Sequence, residues 1–192
     1  MKKVFVVALV LLAMAMGAAQ AQNSVFKINV LSPVVRTGSV FYEQAISQDK
    51  SLQLGLFYTG FRVDETKFRG YGITPEYRQY LSTGKTAPEG FYVAPFLRFQ
   101  SLNLEVDESD WYDEETGEYQ DIKAKASLNT VGGGLLIGRQ WIFKERFVLD
   151  TFFGPSYNAG SVKVESGEED MFNAEALAGF GIRTGVSFGI RF

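Results

Sequence analysis

The sequence predicts an all-β fold, an eight-stranded antiparallel up-and-down transmembrane β-barrel, and three observations carry that prediction. The first is the final stretch. Ile182, Thr184, Val186, Phe188, Ile190 and Phe192 share one parity, and Arg183, Gly185, Ser187, Gly189 and Arg191 share the other. A period of two is the signature of a strand with unlike faces. An apolar face beside one carrying two arginines suits a wall between lipid and a polar lumen. The second is recurrence, since seven earlier segments alternate in the same way. The third is composition: aromatics make up 15% of the chain and there are 20 glycines, while no stretch after residue 21 approaches the roughly 18 continuous apolar residues of a helical span.

The leader is set apart from the rest. Lys2 and Lys3 precede the apolar run Val4 to Met16, and Ala19-Gln20-Ala21 supplies an A-x-A cleavage signature. Residues 1–21 are expected to be a secretory signal peptide and residues 22–192 the barrel domain. A membrane anchor is the competing reading, but the run falls short of the ~20 residues a span needs. The chain contains no cysteine, which excludes a lipid-modified leader of the bacterial kind, disulfides and thiolate metal sites. Lys2 and Lys3 are the only charged residues in the leader, so the formal charge passes from −3 to −5 on its removal. Nothing is basic enough to predict a nucleic-acid partner.

The elements follow in order. Residues 25–31 set Phe26, Ile28 and Val30 against Lys27 and Asn29, and Ser32-Pro33 ends them. Residues 39–46 set Val40, Tyr42 and Ile46 against Phe41, Glu43 and Ala45. Residues 51–59 alternate most cleanly, Leu52, Leu54, Leu56 and Tyr58 against Gln53, Gly55, Phe57 and Thr59. Residues 71–81 set Ile73, Pro75, Tyr77 and Leu81 against Thr74, Glu76, Arg78 and Tyr80. Residues 91–102 set Phe91, Val93, Pro95, Leu97 and Phe99 against Ala94, Phe96, Arg98 and Gln100. Residues 127–141 place Val131, Leu135, Ile137 and Trp141 opposite a Gly-rich face, with Leu136 and Arg139 against the pattern. Residues 147–158 set Phe147, Leu149, Phe153 and Tyr157 against Asp150, Gly154 and Ser156. Residues 177–192 form the last strand. Pro75, Pro95 and Pro155 fall on the apolar face and are expected at bulges or bends.

The connections at 47–50, 82–90 and 142–146 are short, whereas 60–70, 103–126 and 159–176 are expected to be longer polar loops. Short turns at one end and long loops at the other are the layout of outer-membrane barrels, and crossings of about 9–11 residues fit a tilted strand. Eight strands leave an interior just wide enough for side chains to fill.

The whole of residues 22–192 resembles the small OmpA/OmpX-type barrels of Gram-negative outer membranes. Phe41-Tyr-Glu43, Pro75-Glu-Tyr-Arg78 and the Gly-rich sixth strand are similar to a domain-of-unknown-function family of such barrels. Phe188, Ile190 and Phe192 look like the signal that the barrel-assembly machinery reads. The resemblance implies an outer-membrane location and carries no activity with it.

The chemistry left open is narrow. With no histidine in the chain, the usual general base and the Ser-His-Asp arrangement are absent, and no enzyme activity, cofactor or metal is expected. The inward parity carries Lys27, Glu43, Glu76, Arg78, Arg98, Asp150, Arg183 and Arg191. Charges in a narrow lumen must be paired or wet, so Glu43, Glu76, Arg78, Arg98, Asp150, Arg183 and Arg191 are expected to form a structural network. A gated ion path through the same pairs is the sharper reading. The segment 105–121 holds nine acids interleaved with Trp111, Tyr112 and Tyr119. It is expected to be a solvated outer loop, with Asp110, Trp111 and Asp113 as contacts for a partner or for divalent cations, although the EF-hand spacing is missing.

Together these readings predict an outer-membrane barrel with a structural or surface-interaction role. Its partners are outer-membrane lipid, lipopolysaccharide and, during insertion, the assembly machinery. Two alternatives stand beside it: a soluble ligand-binding barrel of the lipocalin kind, which would turn Leu52, Leu54 and Leu56 inward, and a narrow ion pore.

Overall fold

The computed structural model describes residues 23–63, 66–112, 119–166 and 179–192. Its strands are β1 (Ser24–Asn29), β2 (Thr37–Ala45), β3 (Lys50–Val63), β4 (Thr66–Tyr80), β5 (Gly90–Tyr112), β6 (Tyr119–Phe143), β7 (Phe147–Ser166) and β8 (Gly179–Arg191). Each pairs antiparallel with the next, and β1 also pairs with β8, from Val25↔Arg191 to Asn29↔Ser187. The sheet is therefore a closed up-and-down barrel with no free edge, as the alternating pattern predicts.

The facing follows from side-chain parity. On β3, Leu52, Leu54 and Leu56 stand outward, 41% to 51% exposed, while Ser51 and Gln53 are buried inside. Leu136 and Arg139, which break the pattern of β6, keep its parity: Leu136 is fully buried in the lumen and Arg139 lies outside. The Arg139 guanidinium sits 5.1 Å from the Trp141 ring centroid, which accommodates a cation on an apolar wall.

Five inward aromatics each lie opposite a glycine on the neighbouring strand. Phe41 faces Gly55, Phe57 faces Gly72, Tyr92 faces Gly138, Phe96 faces Gly134 and Phe152 faces Gly185. A Cβ at Gly138 would stand 2.4 Å from the Tyr92 ring and 2.7 Å from the Thr151 carbonyl oxygen. The glycines make room for rings to lie across the strand, so the Gly-rich face of β6 is a packing device.

Three expectations need correction. The segments 60–70, 103–126 and 159–176 are strand over most of their described length, since pairing runs to Val63↔Thr66, to Tyr112↔Tyr119 and to Lys125↔Ser166. The reason is a change of phase. Beyond Tyr58 and Tyr71, the outer wall carries Arg62, Arg69, Asn103, Lys125 and Asn129, while Ala126 and Leu128 are buried inside. Polar residues continue on the face that was apolar below, so the pattern read as loop although the ladder persists.

The second correction concerns the prolines, which are not bulges. Pairing between β4 and β5 passes from Ile73↔Phe99 to Glu76↔Phe96 and on to Gln79↔Val93 with one constant offset. Between β6 and β7 it likewise passes from Gly134↔Ser156 to Ile137↔Phe153. Pro75, Pro95 and Pro155 remove ladder bonds at those gaps without inserting a residue. The third concerns strand length, because β5 and β6 run to 23 and 25 residues and extend well past the expected 91–102 and 127–141.

The end that carries Ser24 and Phe192 is closed from below. The turn after β4 folds back so that Ala87 and Pro88 are buried, and Gln140 Nε2 donates to the Pro88 carbonyl oxygen at 2.5 Å. The Ala87 N–H donates to the Gln48 carbonyl oxygen at 2.7 Å and ties this turn to the one between β2 and β3. In that neighbouring turn, hydrogen bonds from Ser47 and Gln79 hold the Asp49 carboxyl below its usual range.

Candidate functional site: a buried ion network and the cavity above it

The lumen of the terminal half is filled by charge. Lys27 on β1 donates through Nζ to Glu43 Oε2 at 2.6 Å and to Asp150 Oδ2 at 2.9 Å. Arg78 on β4 reaches Asp150 Oδ2 at 2.9 Å, Glu76 Oε2 at 3.1 Å and Glu43 Oε2 at 3.3 Å. Arg183 on β8 donates to Glu76 Oε1 at 2.5 Å. The side chains of Lys27, Glu43, Glu76 and Arg78 have no exposed surface at all.

Neutral groups complete the network. Tyr80 and Ser51 donate to Glu43 Oε1 at 2.6 and 2.5 Å, Tyr92 donates to Asp150 Oδ1 at 2.8 Å, and Gln53 donates to Glu76 Oε2 at 2.9 Å. Gln140 Oε1 accepts from Lys27 at 2.6 Å. The Arg78 guanidinium also lies 4.3 Å from the Tyr92 ring centroid. Three cations meet three carboxylates, so the group is electrically neutral and multiply hydrogen-bonded. Those are the conditions under which buried charge is tolerated.

The expected residues are divided by the structure. Glu43, Glu76, Arg78, Asp150 and Arg183 converge in this network. Lys27, which the parity had also turned inward, is a full member and makes two of its ion pairs. Arg191 does not join. It lies at the terminal rim, where its Nη2 donates to Asn23 Oδ1 at 3.0 Å, because β8 places it two inward steps below Ser187. Arg98 stands apart from the carboxylates and faces the Phe57 ring, 5.9 Å from its centroid. Phe188, Ile190 and Phe192 are exposed on the outer wall, and the Phe192 N–H donates to the Ser24 carbonyl oxygen at 3.0 Å. Asp110 and Trp111 fall at the end of β5, with Trp111 paired to Gln120. Asp113 lies outside the described residues, as does the rest of 113–118, which holds four of the nine acids. Among the described residues no acidic cluster is arranged to hold a metal ion.

Above the network, towards the far end, the lumen opens into a cavity of about 310 Å³. Its wall includes Asn29, Ser39, Thr74, Arg98, Gln100 and Arg183, with the rings of Phe41, Phe57 and Phe152. Arg183 is the floor of this space, and its guanidinium lies 4.7 and 5.1 Å from the Phe96 and Phe152 ring centroids.

Replacing Glu76 with Gln is expected to cost about 1.5–3 kcal/mol, the range for hydrogen bonds to charged groups. The substitution keeps the shape but removes the charge that Arg78 and Arg183 share. Urea unfolding of the refolded barrel measures this loss; an unchanged midpoint would mean the carboxylate is merely accommodated.

Residues 5–164 match the family model described as a protein of unknown function, DUF3575. Among solved structures, the crystal structure of the N-terminal β-barrel domain of Pseudomonas aeruginosa OprF is similar over 89% of this chain and 98% of that one, at 14% identity and a TM-score of 0.39. No curated protein matches the chain. With the family model spanning most of its length, the chain belongs to the DUF3575 family of proteins of unknown function.

Proposed function

We propose that this chain is an integral outer-membrane β-barrel with a structural or surface-interaction role and no enzymatic activity, exported by the signal peptide at residues 1–21. One observation carries the reading. Each strand presents large apolar side chains on the outside, including Val40, Leu54, Ile73, Leu97, Leu135, Phe153 and Phe188, all 37% to 55% exposed. Ions and amides, with aromatic rings laid over glycines, fill the inside. In water a continuous apolar belt of this kind is an aggregation liability. In hydrocarbon it is the favourable surface, and the closed barrel leaves no free sheet edge.

The limits of the belt support the same reading. Phe91, Phe143 and Phe147 lie towards the terminal end, and Tyr58, Tyr71 and Tyr157 towards the far end, at the two levels expected of interfacial girdles. Past Tyr58 and Tyr71 the outer wall turns to Arg62, Lys67, Arg69 and Lys125, a height suited to the phosphates of lipopolysaccharide. The terminal end then faces the periplasm. Asp110 and Trp111, near the end of β5, are the proposed contacts for an extracellular partner.

The soluble lipocalin-like alternative needs the reverse facing of Leu52, Leu54 and Leu56. A permanently open pore is disfavoured by the ion network and by Ala87 and Pro88 beneath it, which occlude the terminal half of the lumen.

Membrane fractionation with gels of heated and unheated sample tests the proposal. It predicts an outer-membrane band whose mobility shifts on boiling; a soluble protein without a shift would overturn it. Phe188, Ile190 and Phe192 are proposed as the signal read by the assembly machinery, so Phe192→Ser is expected to reduce the folded yield in the membrane several-fold. In vitro refolding into detergent should be little changed. An equal loss in both settings would assign Phe192 to stability instead.

A further inference from the structure

The described charges of the lumen core do not balance. Lys27, Arg78, Arg98 and Arg183 face Glu43, Glu76 and Asp150, and every carboxylate is held by one or more of Lys27, Arg78 and Arg183. Arg98 is left without an acidic partner. Its Nε is buried with no hydrogen-bond partner, and Arg183, whose Nη2 binds Glu76, has its Nη1 buried and equally unpartnered. Arg183 as a whole is only 6% exposed. Both arginines line the cavity above the network, and the lining includes no carboxylate.

An unpaired buried cation is costly, and so is a buried donor without an acceptor. Here two guanidinium groups line one open space, and no carboxylate lines it. We propose that the cavity is a binding site for a small organic carboxylate with a short apolar body. The carboxylate would lie against the Arg98 and Arg183 guanidinium groups, and it supplies the negative charge that the lumen lacks. Ser39, Thr74 and Gln100 add polar groups around it. Asn29 Oδ1 already accepts from the Leu31 N–H at 2.9 Å, which leaves its NH₂ to donate. The apolar body rests among Phe41, Phe57 and Phe152, whose rings line the same space. A volume of about 310 Å³ suits a ligand of this size. The site depends on the lumen alone and stands whether the outer wall meets lipid or another apolar surface.

Benzoate is the probe. The side-chain Nε–Hε signals of the barrel in zwitterionic detergent micelles are followed by NMR during titration with sodium benzoate, with sodium chloride at equal ionic strength as reference. The signals of Arg98 and Arg183 are expected to shift saturably with benzoate, and that of Arg139 on the outer wall is not. Arg98→Gln should weaken the benzoate affinity about tenfold or more, the scale of one charge-assisted hydrogen bond. It should fold as well as the parent, because it removes an unpaired cation. Three results would each overturn the proposal: shifts that match chloride and never saturate, benzoate affinity unchanged in Arg98→Gln, or a loss of stability in that variant without ligand. The parent titration needs no variant, so a folding defect does not shield the idea.

Discussion

Replacing Arg78 with Met lowers the unfolding free energy of the barrel by about 3–5 kcal/mol, the cost of stranding buried charge by removing one partner. Arg78 is the hub of the network, within 3.3 Å of carboxylate oxygens on Glu43, Glu76 and Asp150. Without it Lys27 and Arg183 face three carboxylates, and the ion network carries an uncompensated negative charge. Methionine fills much of the volume, so the loss is electrostatic rather than a cavity. Adding Asp150→Asn restores neutrality. The double variant is therefore expected to be more stable than Arg78→Met alone, a non-additivity that marks coupled groups. Equilibrium urea unfolding in detergent, read by gel mobility without boiling, gives both values. A single-variant loss below about 1 kcal/mol, the scale of exposed pairs, would show that water screens the network.

Leu54→Arg has the second large effect, and its size depends on what surrounds the barrel. Leu54 is 41% exposed on the outer wall, paired with Tyr42 and two outward steps before Tyr58. In hydrocarbon a midplane arginine costs about 2–4 kcal/mol. In water an exposed leucine exchanged for arginine stays within roughly 0.5 kcal/mol. Unfolding of the parent and of Leu54→Arg in lipid vesicles separates the two cases. The same change at Asn129, on the outer wall beyond the aromatic level, is expected to be neutral in either.

Much of the barrel was legible because the two faces of each strand meet unlike surroundings. Where Leu52, Leu54 and Leu56 alternate with Ser51, Gln53 and Gly55, period and facing follow from residues alone. The far ends of β3 to β7 were not legible, because apolar residues cease to mark the outer wall beyond Tyr58 and Tyr71. A strand that passes from one surrounding to another changes phase, and a fixed rule reads the change as a loop. The prolines misled for a related reason. Pro75 and Pro95 removed bonds at one seam, but the flanking pairs held the register and no bulge was needed.

The site divides in the same way. Parity placed Lys27, Glu43, Glu76, Arg78, Asp150 and Arg183 inside, and parity is a property of sequence. Height along the barrel axis is not, because tilt and stagger shift each strand against the next. For that reason the sequence could not separate Arg183 in the network from Arg98 above it or Arg191 at the rim. The pairing of Tyr92 with Gly138, or Phe152 with Gly185, was hidden for the same cause. Each residue was visible singly, but only the register puts ring over glycine.

The central claim is that the outer wall of this barrel is a lipid-facing surface. Site-directed spin labelling tests it most directly, and the chain contains no cysteine, so single-cysteine variants label cleanly. Nitroxides at positions 51 to 58 of β3, in vesicles, would be challenged with oxygen, which partitions into lipid, and with a water-soluble nickel chelate. The account predicts that Leu52, Leu54 and Leu56 report high oxygen and low nickel accessibility, while labels at Ser51 and Gln53 report little of either. High nickel accessibility at Leu54 and Leu56 would place that wall in water and contradict it.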